Sequence, residues 1–287
     1  MEKTTGEYRH IPVLLDECLE QSRLKPQHTF VDATLGGAGQ SSEAARRLGS
    51  QGLLIGIDQD DMALTAAGAR LKALGSADLP QIELLRGNFG NLDELLLEAE
   101  VPGIDAILFD LGVSSPQLDF PSRGFSFKED APLDMRMDPG NQTTTAAELV
   151  NTLDAAELAR IIRDYSDEKW ASRIAQFIVA ARERAPIETS GQLVEIIKAA
   201  IPASARRAGG HPGKRTFQAL RIEVNSELSV LRSGLEAAVR WLNPKGRILV
   251  ISYHSLEDRV VTAVFAEHPR PRTCPPRLPV CACGAEP

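Results

Sequence analysis

Four polar or glycine-rich signals in the first 110 residues fall where short apolar runs end. The first is the turn Asp32-Ala-Thr-Leu-Gly-Gly-Ala-Gly39. Its glycines let the backbone approach a ligand closely, and the helix start beyond them offers free N–H groups. The second is Asp58, about 20 residues downstream, the usual place for an acid that accepts the two ribose hydroxyls of an adenosine. The third is Asn88-Phe89, where an aromatic ring can flank adenine, and the fourth is Asp110. In an open α/β sheet, ligands bind at the carboxyl ends of the strands, so together the four signals predict a nucleoside-type cofactor.

Two details separate the cofactor classes. The dinucleotide fingerprint G-x-G-x-x-G/A begins at Gly37-Ala-Gly39 but meets Ser42 at its last position. Asp32 is also out of place beside a pyrophosphate. An acid there suits a cofactor with a cationic amino-acid portion, such as S-adenosylmethionine. A nucleotide-dependent oxidoreductase is thereby disfavoured and a methyltransferase favoured.

Elements that alternate must carry these residues. Thr29–Leu35, Leu53–Asp58, Ile82–Arg86 and Ile104–Leu111 read as strands; Ser41–Leu48, Met62–Leu74 and Leu92–Ala99 read as helices. Continuous apolar runs separated by helices indicate a parallel sheet covered on both faces. From about Thr143 to Ile201 the chain reads as helices only, with capping signatures at Thr145, Asp154 and Thr189. Ala203–Thr216 reads as a Gly/Arg/Lys-rich loop, Glu227–Leu242 as an amphipathic helix, Asn243–Gly246 as a turn and Arg247–Tyr253 as strand five. The expected fold is a Rossmann-like α/β methyltransferase sheet, residues 1–118 and 221–287, with an inserted helical domain at 119–220. The insertion is expected to contribute little to cofactor binding.

The bulk numbers set outer limits. The 287 residues, 43% hydrophobic and 25% charged, suit one large core or two domains. The net charge of -7 argues against a protein that simply coats nucleic acid, while leaving room for a local basic face. No signal peptide and no apolar run near the ~20 residues of a membrane span are visible, so a cytoplasmic, membrane-free setting is expected. Four cysteines do not make a disulfide framework. Cys18 falls in an amphipathic helix. Cys274, Cys281 and Cys283, with His268, could in principle hold zinc, but C-x-C without a paired knuckle reads better as a proline-rich surface segment, and no metal is expected.

Longer motifs sharpen the reading. Asp110–Asp119 is DLGVSSPQLD; Ser122–Phe127 is SRGFSF; Pro132–Met137 is PLDMRM; His211–Asn225 is HPGKRTFQALRIEVN; Ser252–Asp258 is SYHSLED. With His10–Glu17, HIPVLLDE, these resemble the RsmH (MraW) family of bacterial 16S ribosomal RNA methyltransferases, which act on N4 of a cytidine in the decoding region. The resemblance runs from about residue 8 to 284. It implies a methyltransferase domain with an inserted helical domain that helps hold the RNA. It also implies cofactor contacts from Ala38, Gly39, Gln40, Asp58, Phe89, Asp110 and Gln117. The family turn commonly reads G-G-H-S, so Ala38 and Gln40 are departures. Members usually continue past the cysteine segment into a basic tail and a final strand, and this sequence stops at Pro287.

Such chemistry needs help at the acceptor, because the N4 lone pair of cytosine is delocalised into the ring. Asp110 and the loop after it, with Ser114 and Ser115, are candidates to accept hydrogen bonds from the amine. His254 after strand five is another candidate. Tyr253 and Phe125 are candidates to stack on an extruded base. Arg206, Arg207, Lys214, Arg215 and Arg221 form the expected phosphate footprint. The expected partner is 16S ribosomal RNA, within the small subunit; a homodimer is compatible with the sequence. A non-catalytic RNA-binding assembly factor is the rival class, and the intact strand-end acids speak against it.

Overall fold

The computed structural model describes residues 12–75, 78–206 and 210–267. Helix α1 (Leu15–Gln21) precedes an alternating run: β1 (Thr29–Asp32), α2 (Gly39–Arg47), β2 (Leu53–Asp58), α3 (Asp61–Lys72), β3 (Gln81–Arg86), α4 (Leu92–Glu98) and β4 (Ile104–Asp110). The short α5 (Ser115–Asp119) leads into α6 (Ala146–Thr152), α7 (Ala155–Asp164), α8 (Ala171–Arg182), α9 (Ser190–Ala200), α10 (Ala203–Arg206) and α11 (Lys214–Asn225). The chain closes with α12 (Glu227–Trp241), β5 (Leu242–Ile251) and α13 (Ser255–Glu267).

All five strands are parallel, in the order β3-β2-β1-β4-β5. The strand order reverses between β1 and β4, which places a crevice at their carboxyl ends. Alternate side chains feed two cores. Val31, Ile55, Ile57, Ile107 and Phe109 pack on Leu92, Leu96, Leu231, Leu235 and Val264 from α4, α12 and α13. Phe30, Leu54, Ala106 and Leu108 face the other way, onto Leu19, Ala44, Ala45, Ala67 and Leu71 from α1, α2 and α3. Strands buried on both faces explain the unbroken apolar runs of the sequence.

The helices α6 to α9 and α11 enclose a third core, which includes Leu149, Leu158, Ile162, Ile174, Ile178, Leu193, Ile197, Phe217 and Leu220. Three of these helices begin with the expected reciprocal capping boxes: Thr145 with Glu148, Asp154 with Glu157, and Thr189 with Gln192. The boxes satisfy backbone N–H groups that would otherwise lack partners at the helix starts.

Three expectations about elements need correction. Of the loop expected at Ala203–Thr216, Ala203–Arg206 form the short α10, and Lys214, Arg215 and Thr216 open α11; Phe217 and Leu220, buried in the helical core, draw this polar start into a helix. The turn expected at Asn243–Gly246 lies inside β5 as a bulge. Ile104 pairs with Leu242 and Ala106 with Arg247, so the four residues swell out between two paired positions. Lys245 there takes φ +70, and the Asn243 amide ties the bulge down by donating to Asp105 Oδ1 at 3.1 Å. Phe125 is 6% exposed within the helical core, so it does not present a stacking face.

Close packing at one glycine positions the Phe89 ring. Gly234, inside α12, faces Phe89: a Cβ there would lie 2.8 Å from Phe89 Cδ2 and 2.9 Å from its carbonyl oxygen. Replacing a mid-helix glycine by alanine ordinarily stabilises by about 0.8–1 kcal/mol. Overpacking costs about 1–3 kcal/mol, and the clash here is with backbone as well as ring. Gly234→Ala is therefore expected to lower the urea midpoint; a raised midpoint would show that Phe89 yields without cost.

Candidate active site at the strand ends

Asp32, the last residue of β1, is 1% exposed. Its Oδ1 accepts the N–H of Thr34 at 3.2 Å and its Oδ2 accepts the hydroxyl of Ser41 at 2.6 Å. Burial pushes its pKa up to about 6; the two hydrogen bonds offset part of that, and the charges of Asp110 and Asp58 add to it. A buried acid of this kind gains from a cationic neighbour.

The chain then turns tightly. Gly36 has φ +49 and Ala38 φ +57, and α2 starts at Gly39 without a side-chain cap. A Cβ on Gly39 would lie 2.6 Å from the Pro12 ring, so only glycine fits under that segment. Ala38 is fully buried. The Gln40 side chain turns away, its amide donating to Val13 O at 2.8 Å while its Oε1 is buried without a hydrogen-bond partner. Any ligand contact from Gln40 thus falls to its backbone.

Asp58 ends β2 with its carboxylate aimed back at the turn. Oδ2 accepts the N–H of Gly36 and Oδ1 that of Asp60, each at 2.9 Å. Burial raises its pKa against these backbone donors. Asn88 caps the short turn Phe89–Asn91 by accepting from Gly90, and donates to Gln59 Oε1 at 2.9 Å. The Phe89 ring meets Phe109 edge-on, 5.5 Å between centroids at 84°.

Asp110 is fixed at the end of β4 by the bond its N–H gives to Thr34 Oγ1, 2.7 Å, and it receives the Tyr253 hydroxyl at 3.0 Å. Tyr253 is 55% exposed, leaving its ring available as a platform at the mouth of the crevice. Its phenol is pushed up to about 12 by burial and by the Asp110 carboxylate, so it remains a donor. Gly112, at φ +99, lies against that ring. In the next turn the Ser114 N–H donates to Gln117 Oε1 at 3.0 Å, and Gln117 is buried.

His254 sits apart from Asp110 in its bonding. Its Nδ1 accepts the N–H of Glu257 at 3.4 Å, and its Nε2 lies 3.2 Å from Glu257 Oε1. Glu257 in turn accepts the N–H groups of Tyr253 and His254. Burial alone would raise the Glu257 pKa; the hydrogen bonds from His254 and from the Tyr253 backbone outweigh it and hold the carboxyl low. His254 therefore acts as a cap for α13. Glu227 joins this group, with ligand atoms of Glu227, His254 and Glu257 within 4.8 Å of one another. The cation present is a guanidinium: Arg221 Nε and Nη2 grip the two Glu227 oxygens at 2.8 Å each. That corrects the place expected for Arg221, which is half-buried in an ion pair and not on the phosphate footprint.

Arg206, Lys214 and Arg215 are exposed, with Arg215 3.7 Å from Glu168. Arg207, His10, His268, Cys274, Cys281 and Cys283 lie outside the described residues. Sequence reasoning gave no site role to Thr34, Ser41 or Cys18. Thr34 and Ser41 flank the glycine turn and were hidden by its stronger signal. Cys18, on α1, lies close enough to feel the charges of Asp110 and Asp32; burial first, and those charges next, push its thiol up to about 11.

The buried Asp32 makes a prediction about stability. Its folded pKa of about 6 exceeds the ordinary 3.8. Between those values the folded chain keeps a proton that the unfolded chain has lost, so stability falls as pH rises through the window and levels above it. The difference is on the order of 3 kcal/mol. Relative to the wild type, Asp32→Asn should become progressively more stable from pH 4 to pH 7 in urea titrations. A difference that stays flat over that range would refute the burial argument.

"Ribosomal RNA small subunit methyltransferase H" of Symbiobacterium thermophilum is 55% identical over 280 residues, 98% of this chain and 86% of that protein. The protein of the same name from Heliobacterium modesticaldum is 51% identical over 281 residues, 98% of this chain and 88% of that one. A sequence model of the MraW methylase family matches residues 7–287. On that match and those identities, the chain belongs to the MraW methylase family and is a methyltransferase.

Proposed function

We propose that this enzyme uses S-adenosylmethionine to methylate the N4 amino group of a cytidine in 16S ribosomal RNA, in the decoding region. The observation that carries the reading is the meeting of Asp32, Asp58 and Asp110 at the ends of three neighbouring strands, around a turn with two left-handed residues. The names of the relatives support the small-subunit RNA as substrate. The motif resemblance supports the cytidine N4 and the decoding region.

The residues present fit this cofactor. Asp32, desolvated and raised in pKa, calls for the cationic amino-acid portion. Asp58 would accept the ribose hydroxyls, Phe89 would flank the adenine, and the backbone of Ala38–Gln40 with Gln117 would complete the cradle. When bound, S-adenosylmethionine supplies an activated methyl group. The protein's task is then to position the acceptor. Asp110, steadied by Thr34 and Tyr253, is placed to accept a hydrogen from the amine, which frees the nitrogen lone pair. Ser114, in the loop after Asp110, is a second candidate; His254 would act only at one remove, through Glu257, which accepts the Tyr253 N–H. The exposed Tyr253 ring would stack on the extruded base. The Asp110–Asp119 loop carries no cysteine, and methylation of a ring carbon would normally call on a Cys nucleophile, which favours an exocyclic amine.

We assign RNA recognition to the helical unit at 119–220, continued to the end of α11, with Arg206, Arg207, Lys214 and Arg215 on phosphates. Among the described residues no helix is long and apolar enough to cross a membrane, and the setting we infer is cytoplasmic.

Two experiments test this. Methylated 16S RNA digested to nucleosides should yield N4-methylcytidine from the wild type, and Asp110→Asn should fold yet lose most of the activity. Recovery of 5-methylcytidine, or full activity in that variant, would overturn the chemistry proposed. Replacing Arg206, Arg207, Lys214 and Arg215 together by alanine should weaken RNA binding and flatten its salt dependence, with S-adenosylmethionine affinity unchanged. Unaltered RNA affinity would remove these residues from the interface.

A further inference from the structure

The helical unit is not isolated from the cofactor strand ends. Arg123, in the short turn Pro121–Arg123 beyond β4, reaches the loop between β2 and α3. Its Nη1 lies 2.5 Å from Asp60 Oδ2, and its Nη2 donates to the carbonyls of Arg136 and Met137 at 3.2 Å each. The two side chains are only 12% and 10% exposed. Arg86 makes a second crossing, between Asp61 at 2.7 Å and Asp138 at 3.0 Å. A third joins Gln59 Nε2 to Met137 Sδ at 3.5 Å.

Asp60 stands between Arg123 and the site. Its Oδ1 accepts the Met62 N–H and so caps α3. Its own N–H donates to Asp58 Oδ1. The orientation of the Asp58 carboxylate therefore depends on where Asp60 is held, and Arg123 holds it. The arginine is itself fixed. Its carbonyl accepts the Met135 N–H at 3.1 Å, and Gly124 next to it has φ +72, where a Cβ would lie 2.3 Å from Pro132 O and 2.5 Å from Asp134 N.

A buried ion pair is seldom the most stable way to fill such a space, because desolvating both charges offsets much of their attraction. Retaining one here, with Arg123 Nε buried and lacking a hydrogen-bond partner, asks for another role. We infer that Arg123 is a positioning residue for cofactor binding: through Asp60 it sets the Asp58 carboxylate that receives the ribose. The inference rests on the cofactor reading proposed above. It also replaces the expectation that the insertion contributes little to cofactor binding.

A double-mutant cycle tests it. S-adenosylmethionine affinity is measured by calorimetry for the full chain, Arg123→Gln, Asp58→Ala and the double variant, each checked for folding by circular dichroism. Arg123→Gln should weaken binding by about tenfold in the wild-type background and by less than twofold when Asp58 is already alanine, because the two act in series. Arg123→Lys, which keeps a cation on Asp60, should recover part of the affinity, and it carries the same cycle if the glutamine variant does not fold. A purely structural arginine would lower the melting temperature without this dependence on Asp58. Equal weakening in both backgrounds, or none in the wild-type background, overturns the inference alone. No binding by the wild type overturns the cofactor reading and the inference with it.

Discussion

Three carboxylates crowd the ends of adjacent strands, and the structure must pay for keeping them there. Like charges withdrawn from water repel strongly and lose hydration, so each needs compensation of its own. Asp32 has the Ser41 hydroxyl and the Thr34 N–H; Asp58 has the N–H groups of Gly36 and Asp60; Asp110 has the Tyr253 hydroxyl. Those donors come from the glycine turn, from the start of α3 and from the segment after β5. The sheet order brings all of them to one crevice. The compensation is incomplete for Asp32, whose pKa stays near 6. A cationic group of a ligand beside Asp32 would meet that residual demand for positive charge.

The helical unit and the sheet have separate apolar cores, and polar links span the seam. Arg123 with Asp60 and Arg86 with Asp138 cross it. Within the helical unit, Asn225 ties the end of α11 to the segment that carries these links, by bonding Met135 O and the Met137 N–H. Ser226, at φ +50, is the single residue between α11, whose Phe217 and Leu220 lie in the helical core, and α12, whose Leu231 and Leu235 lie in the sheet core. With one residue between the two helices there is no slack to absorb a rearrangement. The polar links are directional, so they fix relative orientation in a way that apolar contacts do not.

How much of this was legible depended on range. The strands β1 to β4 and the glycine turn were readable because each is a local run whose burial shows in its composition. The capping boxes were readable for the same reason: Thr145, Asp154 and Thr189 meet partners three residues away. The start of β5 was not, since Asn-Pro-Lys-Gly is a turn by every local measure and is carried inside the strand by pairing with β4. Arg221 looked like its neighbours Lys214 and Arg215 until Glu227 took it into the interior. Arg123 and Asp60 are 63 residues apart, and no spacing rule connects them.

Tyr253 and Asp110 touch although 143 residues separate them. A loop that long is slow to close, because its ends must find each other before any contact rewards the search. Helices with their own caps and their own core can form within it first. Their collapse turns a floppy tether into a compact spacer. The contact that closes the crevice, Tyr253 on Asp110, thus spans the whole helical unit, and the closure entropy it must offset is that of a compact spacer rather than of a free loop.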